Sequence, residues 1–180
     1  MAYLALVRHG QSEYNVRNLE CGWIDSPLTE FGHQQAREAA EKLPKIKWDY
    51  LFESDLTRSH QTSDEIIKVL KLDLIRISSP AIKERNYGIY AGKDKGEVSQ
   101  DVRRGWDVVV SGGENLKQVY ERVVPYYQTE ILPKLKDGKN IIISAHGNSL
   151  RALVKYLDNI SDADIVNVEL PPGSLKVYCI

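Results

Sequence analysis

Four polar clusters, far apart along the chain, carry residue types suited to moving a phosphoryl group through a covalent histidine intermediate: Arg8-His9-Gly10, Arg58, Glu84 and His146-Gly147-Asn148. Such transfer needs a neutral imidazole nitrogen as nucleophile, fixed cations around three equatorial phosphoryl oxygens, and a proton donor for the leaving oxygen. His9 is the candidate nucleophile. Arg8 and Arg58 offer planar guanidinium forks that clamp phosphate oxygens. His146 can add a positive or hydrogen-bonding group. Glu84 is the candidate acid and base, since a carboxyl group can protonate a leaving alkoxide and later take a proton from an acceptor. Gly10 is expected to remove a side chain where a phosphate must come close.

Each residue alone has a plainer reading. A histidine after a strand is usually a loop residue, a lone helical arginine is usually on the surface, and a lone glutamate is usually solvated. His33 and His60 have no supporting context and are read as structural or surface residues. Three histidines and a carboxylate could also suggest a metal site, but no close pair has the usual two-ligand helix spacing, so no metal is expected. The case rests on the conjunction.

The elements around these clusters explain how they could meet. Tyr3 to Val7 is an apolar run that reads as a buried strand ending just before Arg8-His9. Thr29 reads as the N-cap of a helix with Ala36, Ala39, Ala40 and Leu43 on one face, ended by Pro44. Tyr50 to Phe52 is a second strand. Ser54 or Asp55 is the expected cap of the helix that carries Arg58 near its positive end and finishes with Ile66, Val69 and Leu70. Leu74 to Ile77 is a third strand. Pro80 to Gly113 has weak periodicity and reads as a long excursion with room for one short helix, and structureless stretches of this length tend to be functional.

Leu116, Val119, Tyr120, Val123, Tyr127 and Ile131 keep helical spacing, with a kink expected at Pro125. Asn140 to Ala145 is a buried strand, and Leu150, Leu153, Val154 and Leu157 mark the next helix. Ser161 and Asp164 resemble a capping pair for a short helical turn. Val166 to Leu170 and Ser174 to Ile180 flank Pro171-Pro172-Gly173 and read as a terminal pair of strands. The alternation predicts an α/β fold, a three-layer α/β/α sandwich with a mainly parallel sheet, as one domain over residues 1–180. Ligands of such sheets bind beyond the carboxyl ends of the strands, where both histidine clusters fall.

Composition narrows the partners. With 180 residues, 42% apolar and 27% charged, the chain has enough material for one sizeable core and is not expected to be disordered. A formal net charge of -1 gives no reason to bind nucleic acid or an anionic membrane surface, although a local basic pocket remains open. No apolar run approaches the roughly 20 residues that span a bilayer, and Met1 to Val7 lacks a signal-peptide pattern. The two cysteines, Cys21 and Cys179, sit in no metal or redox spacing, so a reducing cytoplasm is the expected compartment.

LVRHGQSEYN at Leu6 to Asn15, SDLTRSHQT at Ser54 to Thr62, ERNYG at Glu84 to Gly88 and AHGNSLR at Ala145 to Arg151 together resemble the histidine phosphatase, or phosphoglycerate mutase-like, superfamily. Within it the chain is most similar to the cofactor-dependent phosphoglycerate mutases, through Cys21-Gly22-Trp23, Gly92, Lys95, Arg103-Arg104-Gly105, Gly113 to Leu116 and Pro171 to Gly173. The resemblance implies that His9 is phosphorylated, that Glu84 is the acid and base, and that Arg8, Asn15, Arg58 and His146 hold the phosphoryl group, helped by Cys21, Gly22, Gly147 and Asn148. It implies that Tyr87, Lys95, Arg103 and Arg104 hold the glycerate and its second anionic group; the plainer alternative for the last three is a solvated helix face. It further implies interconversion of 3-phosphoglycerate and 2-phosphoglycerate in glycolysis and gluconeogenesis, a small anionic phosphate ester as substrate, 2,3-bisphosphoglycerate as phosphoryl primer and no metal; a homodimer is compatible with it.

Departures from that branch pull toward hydrolysis. The stretch between Lys95 and Arg103 is shortened, an insertion between Trp106 and Gly113 is nearly absent, and Ile180 follows the last strand with no covering tail. Cys21 stands where the branch carries threonine, which loses a good hydroxyl donor. A less enclosed site would admit water and favour a phosphatase acting on small phosphate monoesters. A non-catalytic phosphate-binding module is the third reading, disfavoured because nucleophile, acid and clamps occur together.

Overall fold

The computed structural model describes all residues, 1–180. Five strands, β1 (Tyr3–Arg8), β2 (Tyr50–Glu53), β3 (Ile75–Ser78), β4 (Ile141–Ala145) and β5 (Leu175–Cys179), form one sheet in the order β3-β2-β4-β1-β5. The first four are parallel and β5 runs antiparallel to β1. Between them lie the helices α1 (Glu13–Val16), α2 (Glu30–Glu41), α3 (Thr57–Leu70), α4 (Gln100–Arg104), α5 (Leu116–Tyr126), α6 (Leu132–Lys136) and α7 (Gly147–Leu157).

Strand alternation sorts the apolar side chains into two cores. Ala5, Val7, Leu51 and Ile142 face Ala39 and Ala40 of α2 and Ile66 of α3. Leu4, Leu6, Phe52, Ile141 and Ile143 face the other way, onto Leu116, Val119 and Val123 of α5 and Leu150, Leu153 and Val154 of α7. Because both faces of β1 and β4 are covered, these strands read as continuous apolar runs. Each fully buried aliphatic side chain contributes about 1.5–3 kcal/mol, so the central strands are the most strongly anchored part of the sheet. The expected three-layer α/β/α architecture is present. No helix is long and apolar enough to cross a membrane.

Several local expectations change. α3 is not capped by Ser54 or Asp55: its N-cap is Leu56, whose side chain cannot cap, and Asp25 of a distant loop accepts from Thr57 N at 2.9 Å and from Thr57 Oγ1 at 2.5 Å. The helix beginning at Leu116 is not one helix kinked at Pro125. Pro125 sits within α5, a π-helical turn follows over Tyr127–Ile131, and α6 continues it. The excursion from Pro80 to Gly113 holds three 3-10 turns as well as α4. Val166 to Leu170 is not a strand. A 3-10 turn spans Asp164–Asn167, and the carbonyls of Val166 and Val168 accept from Arg104, as that of Ile165 does from Arg151, so guanidiniums take the positions a neighbouring strand would need.

Candidate active site

Sheet register alone brings the two histidine clusters together. β1 and β4 are paired so that Arg8 lies opposite Ala145, and His9 N donates to Ala145 O at 3.0 Å. The next residue on each chain is therefore a histidine at the same rim, and the rings of His9 and His146 lie 5.1 Å apart at 57°. β2 ends one strand further along, with Glu53 opposite Ser144, which brings Ser54 Oγ to 2.5 Å from His146 Nε2. Gly10 has a packing reason to be small: a Cβ there would meet Gly32 O of α2 at 2.0 Å, so the glycine lets α2 dock against the nucleophile's strand end.

A hydrogen bond fixes the tautomer of the nucleophile. His9 Nδ1 is 2.7 Å from Gly10 O. A carbonyl only accepts, so Nδ1 carries the proton and Nε2 keeps the lone pair needed for attack. His9 is 3% exposed, and burial, followed by the charges of Arg58 and Arg8, holds its pKa well below the ordinary 6.5. His146 is likewise held down, by burial first and then by Arg58, His9 and Arg8. Ser54 Oγ accepts from Leu56 N at 3.3 Å and pairs with His146 Nε2, which leaves Nδ1 as the unpartnered nitrogen of that ring.

Those depressed values set a direction for acid stability. Between the folded values and 6.5, the unfolded chain binds protons that the folded chain excludes, so this contribution is complete above pH 6.5 and is lost as pH falls below it. Melting temperature should fall on acidification to about pH 5, and fall less in His9→Ala, which buries one imidazole fewer. Parallel melting curves at the two pH values check this.

Arg58 is 1% exposed and rigidly held: Nη1 donates to Ile24 O at 3.0 Å and Nη2 to Gly22 O at 2.7 Å. Gly22 takes part through that carbonyl, and its φ of +54° is the left-handed region where glycine is favoured. Arg8 Nη1 donates to Leu170 O. Gly147 lets Arg8 pass, since a Cβ there would lie 3.2 Å from its Cζ. Around His9, the buried Nε atoms of Arg8 and Arg58 and Nδ1 of His146 have no hydrogen-bond partner in the protein. Three such nitrogens, with His146 Nδ1 in its protonated tautomer, suit the oxygens of a phosphoryl group, so the residues fit a phosphorylated primer.

Glu84 is 7% exposed, and its Oε1 accepts from Arg85 N at 2.7 Å and Asn148 N at 3.0 Å. Its backbone is fixed from outside the cavity. Arg122 donates to the carbonyls of Ala81, Lys83 and Glu84, each at 2.9 Å, while Trp23 Nε1 donates to Glu84 O at 2.6 Å. Glu114 holds Arg122 at 2.7 Å. Sequence reasoning missed Arg122, a positioning residue.

One cavity of about 420 Å³ joins these groups to the rest. Arg8, His9, Asn15, Cys21, Gly22, Arg58, Glu84, Tyr87, Lys95, Arg103, Arg104, Gly147 and Asn148 all line it. His146 does not; it is fully buried beside His9. Asn15 Oδ1 accepts from Ser12 N at 3.0 Å in the cap of α1, a helix that the sequence pattern did not reveal. Cys21 Sγ donates to Ile24 O at 3.1 Å, and burial raises its thiol pKa, so it stays protonated. Asn148 Nδ2 donates to Tyr87 OH at 3.1 Å, and burial, then Glu20 and Glu84, raises the phenol pKa. Burial lowers the pKa of Lys95. Glu20 and Arg151 also line the cavity and were not anticipated. Arg151 sits three residues after Asn148 on α7, and its Nη1 donates to Asn148 Oδ1 at 3.0 Å. That spacing was the available signal for it; nothing in the local sequence marks Glu20.

Comparison with known proteins agrees with this class of site. Among solved structures, a mycobacterial hydrolase superposes with a TM-score of 0.85 at 23% identity, covering 98% of this chain and 88% of that one. A putative alpha-ribazole-5'-P phosphatase from Escherichia coli superposes with a TM-score of 0.82 at 21% identity, covering 98% and 90%. These likenesses show the fold. The family model of the histidine phosphatase superfamily (branch 1) matches residues 4–180, and the chain belongs to that family. A 2,3-bisphosphoglycerate-dependent phosphoglycerate mutase of Cytophaga hutchinsonii is 42% identical, over 99% of this chain and 87% of its own. A second protein of that name, from Lactiplantibacillus plantarum, is 38% identical over 99% and 93%.

Proposed function

We propose that this histidine phosphatase superfamily member is a 2,3-bisphosphoglycerate-dependent phosphoglycerate mutase that interconverts 3-phosphoglycerate and 2-phosphoglycerate through phosphohistidine at His9. The observation that carries the reading is the joining, in one cavity, of the donor nest around His9 to a second basic cluster made of Lys95, Arg103 and Arg104. A plain phosphomonoesterase needs only the first. A mutase must hold a ligand with anionic groups at both ends while it turns. The names of the relatives at about 40% identity support the same reading.

The chemistry follows from the chain's own groups. His9 Nε2 attacks phosphorus, the P–O bond breaks, and Glu84 gives its proton to the leaving oxygen. Arg8, Arg58 and His146 Nδ1 hold the equatorial oxygens as their charge redistributes. In the return step Glu84 takes the proton of the acceptor hydroxyl, the new P–O bond forms and the P–N bond to His9 breaks. 2,3-Bisphosphoglycerate, when bound, supplies the phosphoryl group that first charges His9. Tyr87, Lys95, Arg103 and Arg104 orient the glycerate end.

A coupled assay converting 3-phosphoglycerate, with and without bisphosphoglycerate, tests this; hydrolysis with no isomerisation would reject it. The near-absence of the insertion expected between Trp106 and Gly113 favours the second reading, a phosphatase for small monoesters, and robust turnover of several unrelated monoesters would establish it. Both readings are of a small-molecule enzyme acting without nucleic acid or membrane partners.

A further inference from the structure

The two ends of the cavity are not charged alike. At the His9 end, Arg58 donates to main-chain carbonyls and Arg8 Nη1 does the same, so neither forms an ion pair with a carboxylate. At the far end Glu20, 3% exposed, accepts from Arg103 Nε at 2.7 Å. Glu20 is held in place by its backbone: its N donates to Lys93 O at 2.9 Å and its O accepts from Gly92 N at 2.7 Å. Its charge also opposes the lowering of the Lys95 pKa by burial and adds to the raising of the Tyr87 pKa by burial. Burying an acid among groups meant to receive anions costs desolvation and opposes the ligand.

We propose that Glu20 is a specificity-determining residue. By compensating Arg103 it weakens the reward for a second anionic group at the far end of the cavity, and its carboxylate offers an acceptor to a hydroxyl-bearing tail. Ligands with one phosphate and a neutral, hydroxylated remainder then compete with doubly anionic ones. In a mutase the same balance keeps the bisphosphorylated ligand from being gripped at both ends, which lets it turn between transfers. The inference rests on the reading above in one respect, that the phosphoryl group lies beside His9 and the remainder of the ligand reaches Arg103.

3-Phosphoglycerate and glycerol 3-phosphate differ only in a carboxylate against a hydroxymethyl group, so their ratio isolates the effect. Dissociation constants for both, measured by calorimetry in the His9→Ala background, do not depend on whether the native reaction is isomerisation or hydrolysis. Adding Glu20→Gln should tighten 3-phosphoglycerate about tenfold and leave glycerol 3-phosphate within about twofold. Glu20→Asp, which draws the carboxylate back by one methylene, should move the ratio in the same direction by less, and it carries the test if the glutamine variant does not fold. An unchanged ratio in the folded variants overturns the role of Glu20. Binding of neither ligand to His9→Ala would instead overturn the placement of the phosphoryl group, and this inference with it.

Discussion

His9→Ala is expected to lose turnover by at least about 10⁴-fold and to take up no label from radiolabelled bisphosphoglycerate, whereas the wild type should acquire an acid-labile, base-stable label. The size of the effect follows from how the site is built. Nδ1 is tied to Gly10 O, Nε2 is left as a base, and burial with Arg58 and Arg8 keeps the ring neutral at pH values where an ordinary histidine would be protonated. No other side chain has this combination. His146 is the nearest ring, but its Nε2 is engaged by Ser54 and the residue is fully buried and does not line the cavity, so it is not placed to substitute. Persistent labelling of His9→Ala would move the nucleophile elsewhere. Failure of the wild type to label at all would revive the non-catalytic phosphate-binding reading.

This nucleophile was legible in the sequence because the sheet does the positioning. Tyr3 to Val7 and Ile141 to Ile143 are covered on both faces, so they appear as apolar runs, and whatever follows two adjacent parallel strands must meet at their common rim. Arg8, His9 and His146 follow directly from that rule, and Arg58 from its place at the start of α3. Lys95, Arg103 and Arg104 needed the family resemblance, since α4 is five residues long and lies in a segment with no clear periodicity. What stayed hidden depends on pairings far apart in the chain. Arg103 meets Glu20 from 83 residues away, and Arg122 reaches Glu84 O from 38 residues away. Local patterns carry no trace of either. The misread strand at Val166 to Leu170 has the same origin: its apolar alternation is real, but the carbonyls are claimed by Arg104 and Arg151, which no strand propensity could foresee.

Glu84→Gln should slow phosphoryl transfer to and from alkoxide-bearing substrates by about 10²–10⁴-fold, the usual share of a general acid and base. Gln is nearly isosteric, and its amide oxygen can still accept from Arg85 N and Asn148 N, so the fold and ligand binding should persist and the loss should fall on kcat rather than KM. An activated ester with a weakly basic leaving group needs no proton donor, so labelling of His9 from such a donor should be little affected, while release of the phosphoryl group to an acceptor hydroxyl remains slow. Equal damage to both would show that Glu84 acts only by shaping the cavity. Arg122 offers the contrasting case. It never reaches the cavity, yet it holds the carbonyls at 81, 83 and 84, and so fixes where the carboxyl group stands. Arg122→Ala should therefore lower transfer from both kinds of ester, because the displaced segment also carries Arg85 and Tyr87, and Arg122→Lys, which keeps the charge but cannot span three carbonyls with a planar fork, should recover only part of the loss. Proton transfer and placement are thus separable here: one variant discriminates between leaving groups and the other does not.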